Sequence, residues 1–259
     1  MWRLALMLAV CSPGSALAQT YSPLQYREWE VTFFTGGSSI GGYHFPTRVF
    51  GSAVETSRTI GVEYRPGNQL GLRLTENVND SWAADLEYSF ALHNLRFSNL
   101  SPDVPDLSAK TYVHHIDYNV VYLALPRDKR FRPYAQVGVG GVLFFIDGKS
   151  SGEAQQRGLQ LHDSWRFLFN VGGGLKYLIM DQFAVAFDLK DGVSRLPSYG
   201  LPDSVLVVNG EYHPGVSVHG TVNNWQFSIG ANVQWDDFAF RHRSRKNSTE
   251  PPGLGSVLR

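Results

Sequence analysis

The chain has 259 residues, a formal net charge of zero and a single cysteine. The neutral balance removes the electrostatic case for nucleic-acid binding, and beyond the N-terminus no apolar run approaches the roughly 18–20 residues of a membrane helix. Its richness in Gly, Tyr, Phe and Trp, with three Met, suits strands, turns and membrane interfaces.

Met1-Trp2-Arg3 is basic, Leu4 to Cys11 is apolar, and Ser12-Pro13-Gly14-Ser15 breaks the run before Ala16-Leu17-Ala18. That order predicts a secretory signal peptide over 1–18, cleaved between Ala18 and Gln19. Val10 before Cys11 departs from the small residue that a lipidation box needs. Cleavage after Ala18 leaves a mature chain without cysteine, hence without disulfide or thiol chemistry.

Period two then dominates over 19–240. Trp29, Val31 and Phe33 oppose Glu30 and Thr32. Leu70, Leu72 and Leu74 oppose Gly71, Arg73 and Thr75. From Trp82 to His93, Trp82, Ala84, Leu86, Tyr88, Phe90 and Leu92 oppose Ala83, Asp85, Glu87, Ser89, Ala91 and His93. Tyr112, Ile116, Tyr118, Val120 and Tyr122 oppose His115, Asp117 and Asn119. Ala135, Val137, Val139, Leu143 and Phe145 oppose Gln136, Gly138 and Gly140. Trp165, Phe167, Phe169, Val171, Leu175 and Tyr177 oppose Arg166, Asn170 and Lys176. Phe183, Val185, Phe187 and Leu189 oppose Gln182, Asp188 and Lys190, and Trp225, Phe227, Ile229, Ala231, Val233 and Trp235 oppose Gln226, Ser228, Asn232 and Gln234. Successive side chains of a strand point to opposite sides, so these are eight strands.

Their connections alternate in length. Asn77 to Ser81, Pro126 to Arg132 and Met180-Asp181 are short; 37–69, 98–109, 147–164 and 192–223 are long. Short turns on one rim and long loops on the other mark transmembrane barrels, with the short ones facing the periplasm. Ser52 to Arg65 also alternates, and could pair with Leu70 to Leu74 across Pro66-Gly67-Asn68. A further membrane strand would make the count odd, so the segment is assigned to loop. From Arg241 the pattern stops, and 241–259 reads as a disordered periplasmic tail.

The fold predicted is all-β, an antiparallel up-and-down transmembrane barrel of eight strands. Direction follows from volume: eight strands leave an interior just wide enough for side chains, too small for this many aromatics. The apolar face therefore points to lipid, with Trp29, Trp82, Tyr112, Tyr122, Trp165, Tyr177, Trp225 and Trp235 as interfacial girdles. Glu30, Asp85, Glu87, Asp117 and Asp188 then share the lumen with Arg73, Arg166, Lys176 and Lys190. Buried charges must pair or meet water, which predicts a salt-bridged plug rather than an open channel.

Arg132-Pro133-Tyr134-Ala135-Gln136-Val137-Gly138-Val139-Gly140 resembles the fifth strand of OmpA-like eight-stranded outer-membrane barrels, and Trp82-Ala83-Ala84-Asp85-Leu86-Glu87-Tyr88-Ser89 resembles the third. The last strand resembles the signal read by the barrel assembly machinery: a polar residue, a glycine two on, then two hydrophobic or aromatic positions, here Ser228, Gly230, Val233 and Trp235. This signal usually ends a chain, whereas here the chain continues through Phe238 and Phe240. The resemblance implies location in the outer membrane of a Gram-negative cell envelope, with lipid and the assembly machinery as partners. It implies no activity. Lipid A deacylases resemble the central strands too, but carry His and Ser close together on a lipid-facing strand end. Here Arg96 stands two before Ser98, Ser194 has no nearby His, and His93, His213 and His219 are loop or rim candidates. His114 and His115 fall on opposite faces and cannot chelate together. Gly172-Gly173-Gly174 suits strand bending, not a phosphate loop. No catalytic, cofactor or metal residue is assigned. The role expected is structural or interactive, through long loops that meet an extracellular ligand; a narrow channel for small solutes or ions is the alternative, followed by a lipid A-modifying enzyme.

Overall fold

The computed structural model describes residues 25–49, 56–98, 106–156, 161–199, 206–208, 211–213 and 220–236. The expected cleavage site at Ala18 and Gln19 and the expected tail at 241–259 lie outside them. The elements are β1 (Trp29–Ile40), β2 (Tyr43–Val49), β3 (Thr56–Asn77), β4 (Trp82–Ser98), β5 (Leu107–Leu123), β6 (Phe131–Ile146), α1 (Gly148–Gln156), β7 (Ser164–Met180), β8 (Phe183–Arg195), β9 (Leu206–Val208), β10 (Glu211–His213) and β11 (Thr221–Trp235). Strands β1, β3, β4, β5, β6, β7, β8 and β11 pair antiparallel in that order. The ring closes where Trp29↔Trp235 through Ile40↔Asn224 joins β1 to β11. This is the eight-stranded barrel expected. The strands run past the nine to eleven residues that a tilted membrane crossing needs, and the short turns gather on one rim.

The segment assigned to loop at Ser52 to Arg65 is different. From Thr56 it is the upper part of β3, a strand of 22 residues. Its partner is β2, not Leu70 to Leu74. The pairing Trp29↔Glu76 through Ser38↔Gly67 continues, in one register, as Tyr43↔Val62 through Val49↔Thr56. So β2 stands on top of β1 rather than beside it, and the ring count stays even. Pro66-Gly67-Asn68 makes no turn. The register to β4 shifts there instead, between Arg65↔Asn94 and Asn68↔Leu92. Proline has no N–H to give the ladder, and a bulge accommodates that without ending the strand.

Exposure alternates along every ring strand. Phe33 and Trp165 are each 61% exposed and Ile116 57%, while Glu30 and Asn119 are fully enclosed. The apolar face is outside, and a continuous apolar surface of this extent is a lipid surface, not a soluble one. Tyr112 and Tyr122 on β5, and Trp225 and Trp235 on β11, are each ten residues apart. At about 3.3 Å per residue and a tilt of about 40°, that spacing spans the apolar band of about 25 Å. The ring of Trp82 meets that of Tyr122 at 5.3 Å, edge to face, within one girdle.

Inside, Gly71 makes room for Phe34. A Cβ at Gly71 would stand 2.2 Å from the Phe34 ring and 2.5 Å from the Tyr88 carbonyl oxygen. Gly71→Ala is therefore expected to lower stability by about 1–3 kcal/mol through overpacking, read as a lower urea midpoint of the micelle-folded barrel. An unchanged midpoint would show that β3 can shift away from Phe34.

Candidate functional site in the lumen and at its rims

In the half of the lumen nearest the short turns, the expected charges converge. Arg73 Nε donates to Glu87 Oε2 at 2.8 Å, and Arg73 Nη1 reaches Asp188 Oδ1 at 2.9 Å. Asp85 stands 3.8 Å from the same guanidinium. Lys190 Nζ bridges Glu87 Oε1 at 2.6 Å and Asp117 Oδ2 at 2.8 Å. Lys176 Nζ pairs with Glu30 Oε2 at 2.6 Å, and Asn232 donates to the same oxygen at 2.7 Å. These groups come from β1, β3, β4, β5, β7, β8 and β11, so the network ties nearly the whole ring across its interior. Buried ions survive only where such partners replace water.

Tyr134, a neutral member of the network, is not picked out by charge. Tyr134 donates its hydroxyl to Asp188 and accepts from Arg73 at 3.2 Å. Its position on the inward face of β6, beside the outward Ala135, was the available signal. Arg132 donates to the carbonyls of Leu125 at 3.0 Å and Asp80 at 2.9 Å, closing the short-turn rim.

Arg166 does not join the network. It is half-buried at the opposite rim, where Nε donates to Leu196 O at 3.1 Å, Nη1 to Trp165 O at 2.8 Å and Nη2 to Ser198 Oγ at 3.0 Å. Alternation assigns a face but not a depth, and Arg166 lies only two residues from the rim end of β7.

Midway up, four strands are joined by a polar crossbar. Ser38 Oγ on β1 donates to Asn224 Oδ1 on β11 at 2.8 Å and stands 3.1 Å from His93 Nε2 on β4. Asn224 Nδ2 donates to His115 Nε2 on β5 at 3.0 Å. His93, expected in a loop or at the rim, is thus inside the lumen, and its Nδ1 meets Arg65 O at 3.0 Å. His114 and His115 do part to opposite faces: His114 Nδ1 meets Tyr88 OH outside, at 2.8 Å. Ser98 and Ser194 donate to the backbone carbonyls of Gly61 and Arg195.

Above the crossbar the lumen changes character. The inward side chains become Ile40, Val62, Leu95, Val113, Val142 and Phe144, a packed apolar cluster. The expected polar interior therefore fills only the lower half. Strands that outrun the lipid belt carry a second set of inward positions, and alternation alone does not separate these from the first.

Each mouth is stoppered by a tyrosine from outside the strands. At the short-turn rim, the segment before β1 crosses the opening. Tyr26 N donates to Arg127 O at 3.0 Å and Tyr26 OH to Arg130 O at 3.1 Å. Its ring lies 4.8 Å under the Arg132 guanidinium and packs on Leu178 and Ala184. Burial, and then the charge of Glu30, push the Tyr26 phenol above its usual pKa, so it remains a donor. At the long-loop rim, residues 196–199 dip inward and bury Tyr199.

A family model described as "Outer membrane protein beta-barrel domain" matches residues 4–234. No curated protein matches the sequence. Among solved structures, OprG from Pseudomonas aeruginosa aligns at 15% identity and a TM-score of 0.52, covering 83% of this chain and 100% of that one. Neisserial surface protein A aligns at 10% identity and a TM-score of 0.45, covering 80% and 97%. The N-terminal barrel domain of Pseudomonas aeruginosa OprF aligns at 13% and 0.39, covering 80% and 99%. At such identities the likeness speaks to fold alone.

Proposed function

From the premise that this chain belongs to the outer-membrane protein β-barrel family and resides in the outer membrane, we propose that it is a sealed anchor whose long-loop rim serves surface recognition. The carrying observation is Arg73, which spans the lumen between Glu87 and Asp188. A solute would have to break that buried array, then the crossbar, then the apolar cluster. Recognition then falls to the parts a rigid scaffold holds up, above all the β2–β3 hairpin, which extends the wall beyond the ring. Ser228, Gly230, Val233 and Trp235 lie on β11 at the closing seam, the place where the assembly machinery would read its signal.

The test has two arms. Purified protein in a planar bilayer is expected to give no conductance steps. Removal of residues 43–60 is expected to abolish binding to cells or matrix while leaving the heat-modifiable gel shift intact. A second reading, a narrow solute or ion channel, draws support from Asn119, Gln136 and Asn170. Their buried carboxamides have no protein partner on either polar atom, as groups facing lumen water would. Regular conductance steps in the intact protein would favour it over the sealed anchor.

A further inference from the structure

We infer that the long-loop mouth is a binding site for a phenolic ring, which Tyr199 occupies in the unliganded protein. This goes beyond the recognition role above and stands on its own geometry. Tyr199 belongs to no strand, yet it is 1% exposed. Its φ of +50° is the single positive value at a non-glycine among the described residues. Such a backbone persists only where the surroundings over-determine it. What holds it is a set of contacts to the ring and the hydroxyl. Phe97 on β4 and Phe144 on β6 meet the ring edge to face, each at 6.2 Å, with interplanar angles of 82° and 81°. The hydroxyl meets those of Tyr64 on β3 and Thr111 on β5. The cage therefore has apolar walls of the geometry aromatic pairs prefer and a hydroxyl pair at its polar end. Among the described residues no carboxylate forms part of it, and the one cation near the hydroxyl is Arg166, which stands outside the ring walls at the rim.

The strap that carries Tyr199 is tied differently. Arg166 holds Leu196 O at 3.1 Å and Ser198 Oγ at 3.0 Å. Tyr43 OH donates to Pro197 O at 3.2 Å, and His162 N donates to Tyr199 O at 2.8 Å. These are polar bonds to a rim, which water can replace; Leu196 adds a bond from its N to Gly220 O at 3.2 Å and a side chain buried in the apolar cluster, and none of these contacts belongs to the barrel ladder. The strap can leave without a strand unpairing. The vacated cage then recognises what it held: one neutral ring with one hydroxyl. An aliphatic chain would leave the hydroxyl pair unmet. The ring that binds competes with Tyr199, so apparent affinity falls in proportion to how seldom the strap is open.

The full-length mature protein, folded in micelles and labelled with 3-fluorotyrosine, tests this with p-cresol and toluene as probes. In the intact protein p-cresol is expected to bind saturably and to move the Tyr199 fluorine resonance, assigned through Tyr199→Phe, to its solvent-exposed position. Toluene should bind at least about tenfold more weakly, since it leaves the hydroxyl pair unsatisfied. Arg166→Gln, which loosens the strap, should tighten p-cresol by about tenfold or more, and Tyr199→Ala likewise, because the competitor is weakened or gone. A heat-modifiable gel shift confirms that each variant is folded. Binding of p-cresol to Tyr199→Ala but not to the intact protein or to Arg166→Gln would overturn the proposal and make Tyr199 a structural cork only. Equal binding of toluene and p-cresol would overturn the phenol specificity.

Discussion

Arg73→Met is expected to lower the unfolding free energy of the barrel by about 3–5 kcal/mol, the cost of leaving a buried ion partner uncompensated. The guanidinium is almost wholly enclosed and serves Glu87, Asp188 and Tyr134 together, with Asp85 at 3.8 Å. Its removal strands three carboxylates in one low-dielectric space, with Lys190 left to answer Glu87 and Asp117. Urea titration of the micelle-folded protein, followed by the heat-modifiable gel shift, measures the change. The quadruple variant Arg73→Met, Asp85→Asn, Glu87→Gln, Asp188→Asn should recover most of the loss, since the neutral groups leave none of the three carboxylates stranded. If Arg73→Met alone unfolds at the parent midpoint, water already reaches these carboxylates, and the sealed lumen is wrong.

Ile116→Arg is expected to cost about 2–4 kcal/mol, the penalty for a cation on the lipid face at the bilayer midplane. Ile116 lies between Tyr112 and Tyr122 and is 57% exposed, flanked by Tyr88 and Gly141 on the adjoining strands. The same change at Phe131, where β6 leaves the short-turn rim, should cost about 0–1 kcal/mol, because the penalty fades toward the interfaces. Both variants are compared by urea unfolding in lipid vesicles. In a soluble barrel an exposed Ile116→Arg would be close to neutral. Equal, small effects at the two positions would therefore overturn the outward direction of the apolar face.

Face and strand count were legible because period two is set by backbone geometry. Trp82 to His93 separates into two sets that no helix could keep apart, and the structure keeps them apart. Depth was not legible in this way. Lys176 and Arg166 carry the same parity on β7, yet one pairs with Glu30 deep inside and the other holds a loop at the rim. The upper tier escaped notice for a related reason. Val142 and Phe144 alternate with Leu143 and Phe145, so both faces of β6 are apolar there and the pattern carries no direction. The β2–β3 hairpin was hidden by Pro66-Gly67, which reads locally as a turn. A ladder held on either side of it by β1 and β4 overrode that preference and left a bulge. The crossbar of Ser38, Asn224, His93 and His115 joins residues up to 186 positions apart, and no local spacing announces it.

The Tyr26 stopper has a consequence for the order in which the molecule is made. Its partners are the turn at Arg127 and Arg130, the β7–β8 hairpin at Leu178 and Ala184, and, through Arg27 N, Gln234 Oε1 on the last strand at 2.9 Å. Of these, the Gln234 contact forms only once the final strand has met the first, whereas the others lie on neighbouring hairpins between β5 and β8. The segment at the start of the barrel is thus fully tied on both sides only in a completed circle. A chain that stalls before closure is expected to keep an open base and a leading end tied on one side only, and so to be cut there by proteases faster than the finished barrel.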